Sequence, residues 1–325
     1  MSLLDLTSLS IELGSAGGPV RIVSDLSLNI RQGEIYGLAG ESGCGKSLTA
    51  LAVMGILPDG MRATGSIRFR DRELLGMPES ALRSLRGSEM AMIFQEPMTS
   101  LNPVLRVGYQ IEETINTHLK VTGAEARRIA AGLLRSVHIP SPEIRMREYP
   151  HQLSGGMRQR VMMAMAIACS PALLIADEPT TALDVTIEAQ ILGLLRELRD
   201  TKGMGMLLIT HDLGVIAENA ERVAIMYAGR IVEEAPVRQL FAAPAHPYTV
   251  GLLDSLPGAR GETLRPIPGF VPKPGQLPPG CKFSDRCAFV IDECRAGEPD
   301  LVSAGDDAEH TTRCLRAQDR PWIKD

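Results

Sequence analysis

Long apolar runs and an apolar leader are missing from this sequence, and their absence argues against a membrane-spanning role. The longest apolar run, Val161 to Ala176, is interrupted by Ser170 and Pro171 and is shorter than the roughly eighteen residues that a membrane helix needs. The first residues, MSLLDLTSLS, place an acid at Asp5 and lack the basic stretch and apolar core of a secretory signal. We therefore expect a protein that stays in the cytoplasm.

Neither sign of charge is in large excess, and cysteine is scarce. The 34 basic and 39 acidic residues leave a formal net charge of −5, which gives no support to a general nucleic-acid binder. Only six cysteines occur in 325 residues, and four of them, Cys281, Cys287, Cys294 and Cys314, fall near the C-terminus. In a reducing compartment, clustered cysteines are more often metal ligands than disulfides. With 44% hydrophobic residues the chain can bury a large core, as one large domain with an appendage or as two domains.

A strand, a glycine-rich loop and a helix follow one another near the N-terminus. The buried-strand pattern GEIYGLAG leads into GESGCGKS, which matches G-x-x-x-x-G-K-[ST], and the helical pattern LTALAVMGIL comes next. In such a loop the glycines let backbone N–H groups surround phosphate oxygens, and the helix N-terminus adds its positive dipole end. The lysine reaches the β- and γ-phosphates, and the serine binds Mg²⁺. The predicted nucleotide-binding residues are Gly40, Glu41, Ser42, Gly43, Cys44, Gly45, Lys46 and Ser47.

A second stretch, ALLIADEP, supplies the acids that nucleotide hydrolysis needs. Its apolar residues predict a buried strand that ends in Asp177 and Glu178, at the carboxyl edge where parallel sheets bind their ligands. Asp177 is a candidate Mg²⁺ ligand, and Glu178 is the candidate base that polarises the attacking water. A DE pair after an apolar strand is also compatible with an ordinary helix N-cap, but the phosphate-binding loop upstream favours the catalytic interpretation.

The stretch LSGGMRQR, between these two motifs, carries a family resemblance. Ser154, Gly155 and Gly156 resemble the signature motif of the nucleotide-binding subunits of ABC transporters. The resemblance implies that these residues close over the γ-phosphate held by the phosphate loop of a partner subunit, so that two ATP molecules are sandwiched in a head-to-tail dimer. Considered alone, the stretch is also a plain glycine turn before an amphipathic helix.

Further motifs follow in that family's order. Gln95, which ends MAMIFQ, resembles the Q-loop glutamine that contacts Mg²⁺ and the attacking water. Asp184 in TALD resembles the D-loop aspartate, which is expected to serve the partner's site. His211 in LLITHD resembles the switch histidine, which positions the γ-phosphate, the water and Glu178. One expected feature is missing, because no Phe, Tyr or Trp precedes Tyr36, where the family stacks adenine on an aromatic ring.

The resemblance implies an α/β fold with a P-loop NTPase core of the ABC ATPase type. Its mixed sheet, with a RecA-like lobe, is accompanied by an antiparallel β subdomain and a helical subdomain. The alternating patterns LTSLSIEL and LSLNI predict the antiparallel sheet, while VGYQIEETINTHL and AEARRIAAGLLRSV have helical spacing. We predict a nucleotide-binding domain over 1–255, with its helical subdomain at about 96–165, and a small cysteine-rich extension over 256–325.

Three longer stretches narrow the resemblance to one type of importer. FQEPMTSLNPV, the segment from LSGGMRQR to TIEAQIL, and HPYTVGLLDSLP resemble the D-type ATPase subunit of bacterial dipeptide and oligopeptide importers. Met157 after the signature glycines and the TTALD motif favour this type over its F-type sister. In the family, the region around EPMTSLNPVL receives the coupling helices of the membrane subunits.

The four C-terminal cysteines have the spacing C-x5-C-x6-C-x19-C. Four thiolates can hold a tetrahedral zinc or an iron–sulfur cluster, and this spacing is wider than the C-x2-C pairs of common zinc ribbons. Members of this importer group carry a [4Fe–4S] cluster in their tail, so the resemblance implies that Cys281, Cys287, Cys294 and Cys314 are its ligands. Zinc and free thiols are the alternatives. We expect the cluster to be structural.

The resemblance also implies the partners and the task of the chain. With Mg²⁺, it would hydrolyse ATP as a peripheral subunit at the cytoplasmic face of the inner membrane and so drive the uptake of di- and oligopeptides. The expected partners are two transmembrane permease subunits, an extracytoplasmic solute-binding protein, and a sister ATPase or a second copy; nucleic acid is not among them. Open alternatives are nickel or another small solute as cargo, a soluble ABC ATPase acting on nucleic acid or ribosomes, and a non-catalytic regulatory module.

Overall fold

The computed structural model describes residues 2–15, 17–95, 101–181, 184–256, 266–305 and 307–322. The chain divides into two compact units. Unit 1 consists of Met1–Leu3, Ile30–Glu34 and Gly76–Leu207, and unit 2 consists of Leu4–Asn29, Ile35–Leu75 and Leu208–Asp325. Residues 96–100 of the predicted docking region lie outside the described residues.

The described residues form strands and helices throughout both units. The strands are β1 (Ser2–Leu13), β2 (Val20–Arg31), β3 (Ile35–Ala39), β4 (Met61–Phe69), β5 (Arg72–Glu73), β6 (Met90–Ile93), β7 (Leu173–Asp177), β8 (Gly205–Thr210), β9 (Arg222–Tyr227), β10 (Arg230–Pro236), β11 (Val302–Ser303) and β12 (Thr311–Thr312). The α-helices are α1 (Lys46–Met54), α2 (Glu79–Leu85), α3 (Val107–His118), α4 (Gly123–Ser136), α5 (Pro142–Arg145), α6 (Gly155–Ala166), α7 (Val185–Lys202), α8 (Leu213–Asn219), α9 (Val237–Ala242), α10 (Pro247–Asp254) and α11 (Glu293–Ala296). Within this part of the chain, no helix has both the length and the apolar character to cross a membrane.

The strand that carries the phosphate loop lies in a mixed group of strands in unit 2. All five residues of β3, IYGLA, are buried. β3 runs parallel to β9, which runs antiparallel to β10, and the order of these strands is β11-β12-β10-β9-β3. A strand buried on both faces reads as a continuous apolar run, which is why the sequence pattern identifies it. The glycine-rich loop therefore starts from a rigid, buried element.

The two N-terminal strands confirm the predicted small antiparallel sheet. β1 pairs antiparallel with β4, and the strand order in this sheet is β2-β1-β4-β5. The side chains of β2 alternate between buried and more exposed positions, as expected for a sheet with one face in the core. The register of β1 against β4 shifts between Thr7 and Ser10, at a bulge that the alternating pattern does not predict.

The C-terminal tail adds strands to the sheet of unit 2. β12 pairs antiparallel with β10, where Glu233 lies opposite Thr312. The fully buried Glu233 carboxylate accepts the N–H groups of Ala245 and His246 at 2.6 and 3.0 Å, and it lies 2.8 Å from Nε2 of His310. A buried carboxylate needs such partners to offset its lost hydration. The tail is thereby held on the sheet that carries the phosphate loop.

Unit 1 combines the pair β6 and β7 with a set of helices. β6 and β7 are parallel, from Met90 opposite Leu173 to Ile93 opposite Ala176. The predicted helices at 107–119 and 124–137 are confirmed as α3 and α4. α4 is capped by the Thr122 side chain and buries one face, in keeping with its apolar spacing.

Candidate functional site

The glycine-rich loop of unit 2 folds around the side chain of Lys46. This residue begins α1 and is only 5% exposed. Its Nζ donates to the carbonyl oxygens of Gly40 at 2.7 Å and Glu41 at 3.1 Å. Gly45, the N-cap of α1, has a φ of 108°, a conformation that L side chains rarely adopt. Loop, helix N-terminus and lysine thus have the arrangement that suits a phosphate group.

Two loop glycines offer a matched test of this geometry. An added Cβ at Gly40, where φ is 149°, would lie 2.1 Å from the backbone oxygen of Met226, whereas at Gly43, where φ is 80°, it would meet nothing within 4 Å. Gly43→Ala should cost about 1–2 kcal/mol of unfolding free energy from backbone strain alone. Gly40→Ala should cost more than about 3 kcal/mol, because the backbone itself must move. Denaturant unfolding of both variants measures this difference, and equal losses would contradict the close approach.

Cys44 is a buried residue of the same loop. Its Sγ lies 3.8 Å from Nζ of Lys46, and burial raises the pKa of the thiol in spite of that cation. A thiol with a raised pKa stays protonated near neutral pH and reacts slowly. Cys44 is therefore a packing residue of the loop.

The candidate catalytic carboxylate of unit 1 is held by two donors. β7 ends at the buried Asp177, and Glu178 follows with a φ of 45°, which is uncommon for a residue other than glycine. Oε2 of Glu178 accepts hydrogen bonds from Nε2 of Gln95 at 2.9 Å and from Oγ1 of Thr181 at 2.8 Å. Strained backbone of this kind recurs at active sites. The sequence interpretation placed Thr181 in the TALD motif but missed its hydrogen bond to Glu178, for which the sequence signal is a hydroxyl three positions after the carboxylate.

The signature and D-loop residues of unit 1 begin helices. The Ser154 side chain accepts the N–H of Met157 and caps α6, and Oδ1 of Asp184 accepts the N–H of Ile187 at 2.9 Å and caps α7. An added Cβ at Gly156 would lie 2.9 Å from Cγ2 of Ile187. Ser154 and Asp184 therefore stabilise the N-termini of α6 and α7, and Gly156 lets these two helices approach closely. These roles are in addition to any contact with a nucleotide.

The predicted site residues are divided between the two units. Unit 2 holds the phosphate loop and the exposed His211, which follows β8 and precedes Asp212, the N-cap of α8. Unit 1 holds Gln95, Asp177, Glu178, Ser154, Gly155, Gly156 and Asp184. Within unit 1, Gln95 is hydrogen-bonded to Glu178. Within unit 2, Lys46 is hydrogen-bonded to Gly40, at the start of its own loop.

The four C-terminal cysteines line one cavity in unit 2. Cys281, Cys287, Cys294 and Cys314 share it with rings that include Phe283, Phe289 and Trp322. Burial, followed by the neighbouring cysteines, raises the pKa of Cys281 to about 11 and that of Cys314 to about 12. In the described part of the chain, no three His, Cys, Asp or Glu residues form a group that could hold a metal ion. The four thiols thus line one cavity, but the described residues do not form a close group of metal ligands there.

Two protein families match separate segments of the chain. The ABC transporter family matches residues 23–181, and the family described as the oligopeptide/dipeptide transporter C-terminal region matches residues 232–294. The putative peptide import ATP-binding protein of Brucella melitensis is 47% identical over an alignment of 332 positions, which covers 98% of each chain. The oligopeptide transport ATP-binding protein AppD of Bacillus subtilis is 48% identical over 318 residues, 97% of this chain and 96% of its own.

Another relative is much longer. The oligopeptide transport ATP-binding protein OppD of Mycobacterium tuberculosis is 48% identical over 320 residues, which cover 97% of this chain and 52% of that protein. The chain therefore spans about half the length of this mycobacterial relative.

Solved structures show the same core fold. The ATP-binding cassette MJ0796, solved as a dimer in a post-hydrolysis state with ADP and Pi, matches with a TM-score of 0.65 and 26% identity over 72% of this chain and 99% of that one. The protein cbiO1 from Clostridium perfringens, part of the ABC transporter complex cbiONQ, matches with a TM-score of 0.63 and 25% identity over 74% and 91%. The α/β fold of an ABC ATPase is thus confirmed. The chain belongs to the ABC transporter family, among the ATP-binding proteins that carry the oligopeptide/dipeptide transporter C-terminal region.

Proposed function

We propose that this chain is the ATP-hydrolysing subunit of a bacterial ABC importer for di- and oligopeptides. The hydrogen bond from Gln95 to Glu178 carries the catalytic part of the proposal, because it fixes a carboxylate directly after a buried strand. Relatives named for peptide import, which match nearly the whole chain, support the cargo class.

The residues have distinct roles in this proposal. Lys46 and the loop from Gly40 to Ser47 bind the phosphates of ATP. Ser47, Gln95 and Asp177 would hold Mg²⁺, which neutralises phosphate charge during transfer. Glu178 accepts the proton of the attacking water, and the donors Gln95 and Thr181 hold its carboxylate in place before that water arrives. His211 would hold the γ-phosphate and the water in line.

The signature residues act in a neighbouring site. Ser154, Gly155, Gly156 and Asp184 would close over ATP bound to a partner ATPase, either a sister subunit or a second copy. Two permease subunits and an extracytoplasmic binding protein would complete the importer, with this chain peripheral at the cytoplasmic face of the inner membrane. The dimeric state of the related cassette bound to ADP and Pi supports the pairing of two ATPase chains.

The tail is proposed to hold a [4Fe–4S] cluster through Cys281, Cys287, Cys294 and Cys314. Four thiols around a single cavity are the donor set that such clusters use. Zinc is the weaker alternative, because the spacing C-x5-C-x6-C-x19-C is wider than the C-x2-C pairs of common zinc ribbons. The bound cluster would cross-link the tail.

The division into a nucleotide-binding domain over 1–255, with a helical subdomain at about 96–165, and an extension over 256–325 remains part of this proposal.

Loss of this chain should abolish the uptake of labelled di- and oligopeptides by the bacterium and leave nickel uptake intact. Complementation with the wild type should restore peptide uptake, and Lys46→Ala should not, because the phosphates lose their cation. Lys202→Ala is the matched control, since Lys202 ends α7 and bonds only the exposed Ser170 hydroxyl among the contacts described for it. Loss of nickel uptake with peptide uptake retained would overturn the cargo assignment.

A further inference from the structure

The cysteine-bearing tail reaches the phosphate loop through one arginine. Arg286 directly precedes Cys287, and its side chain is only 5% exposed. Its two terminal nitrogens donate to the two carboxylate oxygens of Glu41 at 2.7 and 3.0 Å, and its Nε donates to the carbonyl of Pro268 at 2.8 Å. The pair is bidentate, its arginine is buried and its glutamate is 31% exposed, so it should be stronger than a fully exposed surface ion pair.

Glu41 is the point where the loop, the tail and the phosphate-binding lysine meet. Its carbonyl accepts from Nζ of Lys46 at 3.1 Å, and its backbone N–H donates to Oη of Tyr248 at 2.9 Å. Tyr248 packs against Phe283, a tail ring whose centroid lies 5.4 Å away. The guanidinium of Arg286 also lies over the rings of Tyr227 and Phe283. The arginine is therefore fixed from several sides while it holds the loop.

The charge at this point affects any phosphate that binds. Glu41 is the only acidic residue in GESGCGKS, so its carboxylate is the only negative side chain within the loop. If no cation paired with it, the Glu41 carboxylate would repel a triphosphate bound to this loop. The repulsion would be large because the environment is partly shielded from solvent. The Arg286 guanidinium cancels that charge without itself belonging to the loop.

We propose that Arg286 is a positioning residue for the phosphate loop, and that by neutralising Glu41 it sets the affinity of the chain for ATP. This inference rests on the proposed function of the loop. It assigns the tail a task in nucleotide binding, transmitted by a single ion pair and not by the cysteines directly. Arg286→Ala should therefore raise the Kd for ATP about tenfold, within the range measured for coupled charged pairs.

A second substitution separates charge from packing. In Arg286→Ala/Glu41→Gln the carboxylate is gone, so ATP affinity should return most of the way to that of the wild type. Glu41→Gln alone keeps the arginine's positive charge and should bind ATP more tightly than the wild type. Added salt should shrink the ratio of the Kd of Arg286→Ala to that of the wild type, because salt screens the repulsion.

The control is Arg295→Ala. Arg295 also adjoins a cysteine, Cys294, but it pairs with the tail residue Asp285 at 3.0 Å, and both side chains are exposed. This variant should keep the Kd of the wild type. The measurement is a titration of the purified full chain with a fluorescent ATP analogue and Mg²⁺, with an unfolding curve for each variant.

Each outcome decides the inference. A Kd for Arg286→Ala equal to that of Arg295→Ala, or a double variant as weak as Arg286→Ala, would overturn it and leave the proposed function standing. Weaker ATP binding by Glu41→Gln alone would do the same, even if Arg286→Ala failed to fold. A wild-type chain that binds no ATP analogue would overturn the proposed function and this inference together.

Discussion

Glu178→Gln should lower ATP turnover by the assembled transporter about 10²- to 10⁴-fold while leaving ATP binding in place. The amide keeps the shape of the side chain but cannot take a proton from the attacking water. It can still contact Gln95 and Thr181, which now hold the carboxylate at 2.9 and 2.8 Å. The substitution therefore removes the proposed base with little change in the surrounding structure. The purified complex should retain ATP and accumulate in the closed dimer.

The measurement is phosphate release by the reconstituted complex, together with the amount of unhydrolysed ATP that it retains. Glu197→Gln is the matched control, because Glu197 is an exposed carboxylate on α7 whose described side-chain partner is Nε2 of His138 at 3.8 Å. That variant should turn over like the wild type. Normal turnover by Glu178→Gln would remove Glu178 from the role of base.

The elements that were predictable from the sequence are those that local patterns determine. The phosphate loop and α1 follow from glycine, lysine and helix signals within a few residues, and α3 and α4 follow from their apolar spacing. The acidic pair at the end of β7 is predictable because an apolar strand stops at two polar residues. Each of these depends on neighbours in the chain, so no tertiary information is needed.

The contacts that were not predictable join distant residues. Arg286 and Glu41 are 245 positions apart, and nothing in either local sequence indicates the other. The positive φ of Glu178 and the bond from Thr181 also depend on the folded turn. The predicted division at residue 255 treats the tail as an appendage, whereas the tail and the phosphate loop lie in the same compact unit. The domain division itself stays a prediction.

Cys287→Ser should remove about four irons and the accompanying sulfide from each chain purified without oxygen. A hydroxyl is a poor ligand for an iron–sulfur cluster, and Cys287 is one of four cysteines around a single cavity. Cys169→Ser is the control, because Cys169 lies in unit 1 and is not among the four cysteines that line the cavity. That variant should keep its iron. Zinc in the wild type, or no metal, would overturn the cluster while leaving the ATPase proposal intact.

Cys287→Ser also tests whether the proposed cluster affects ATP binding by the phosphate loop. Cys287 directly follows Arg286, so losing the proposed cluster ligand should free the segment that carries the guanidinium to Glu41. Cys287→Ser should then weaken ATP binding in the same direction as Arg286→Ala, and Glu41→Gln should restore part of the loss in both. If Cys287→Ser loses its iron but binds ATP like the wild type, the arginine is held without the cluster. The rings of Tyr227 and Phe283 would then be sufficient to fix it.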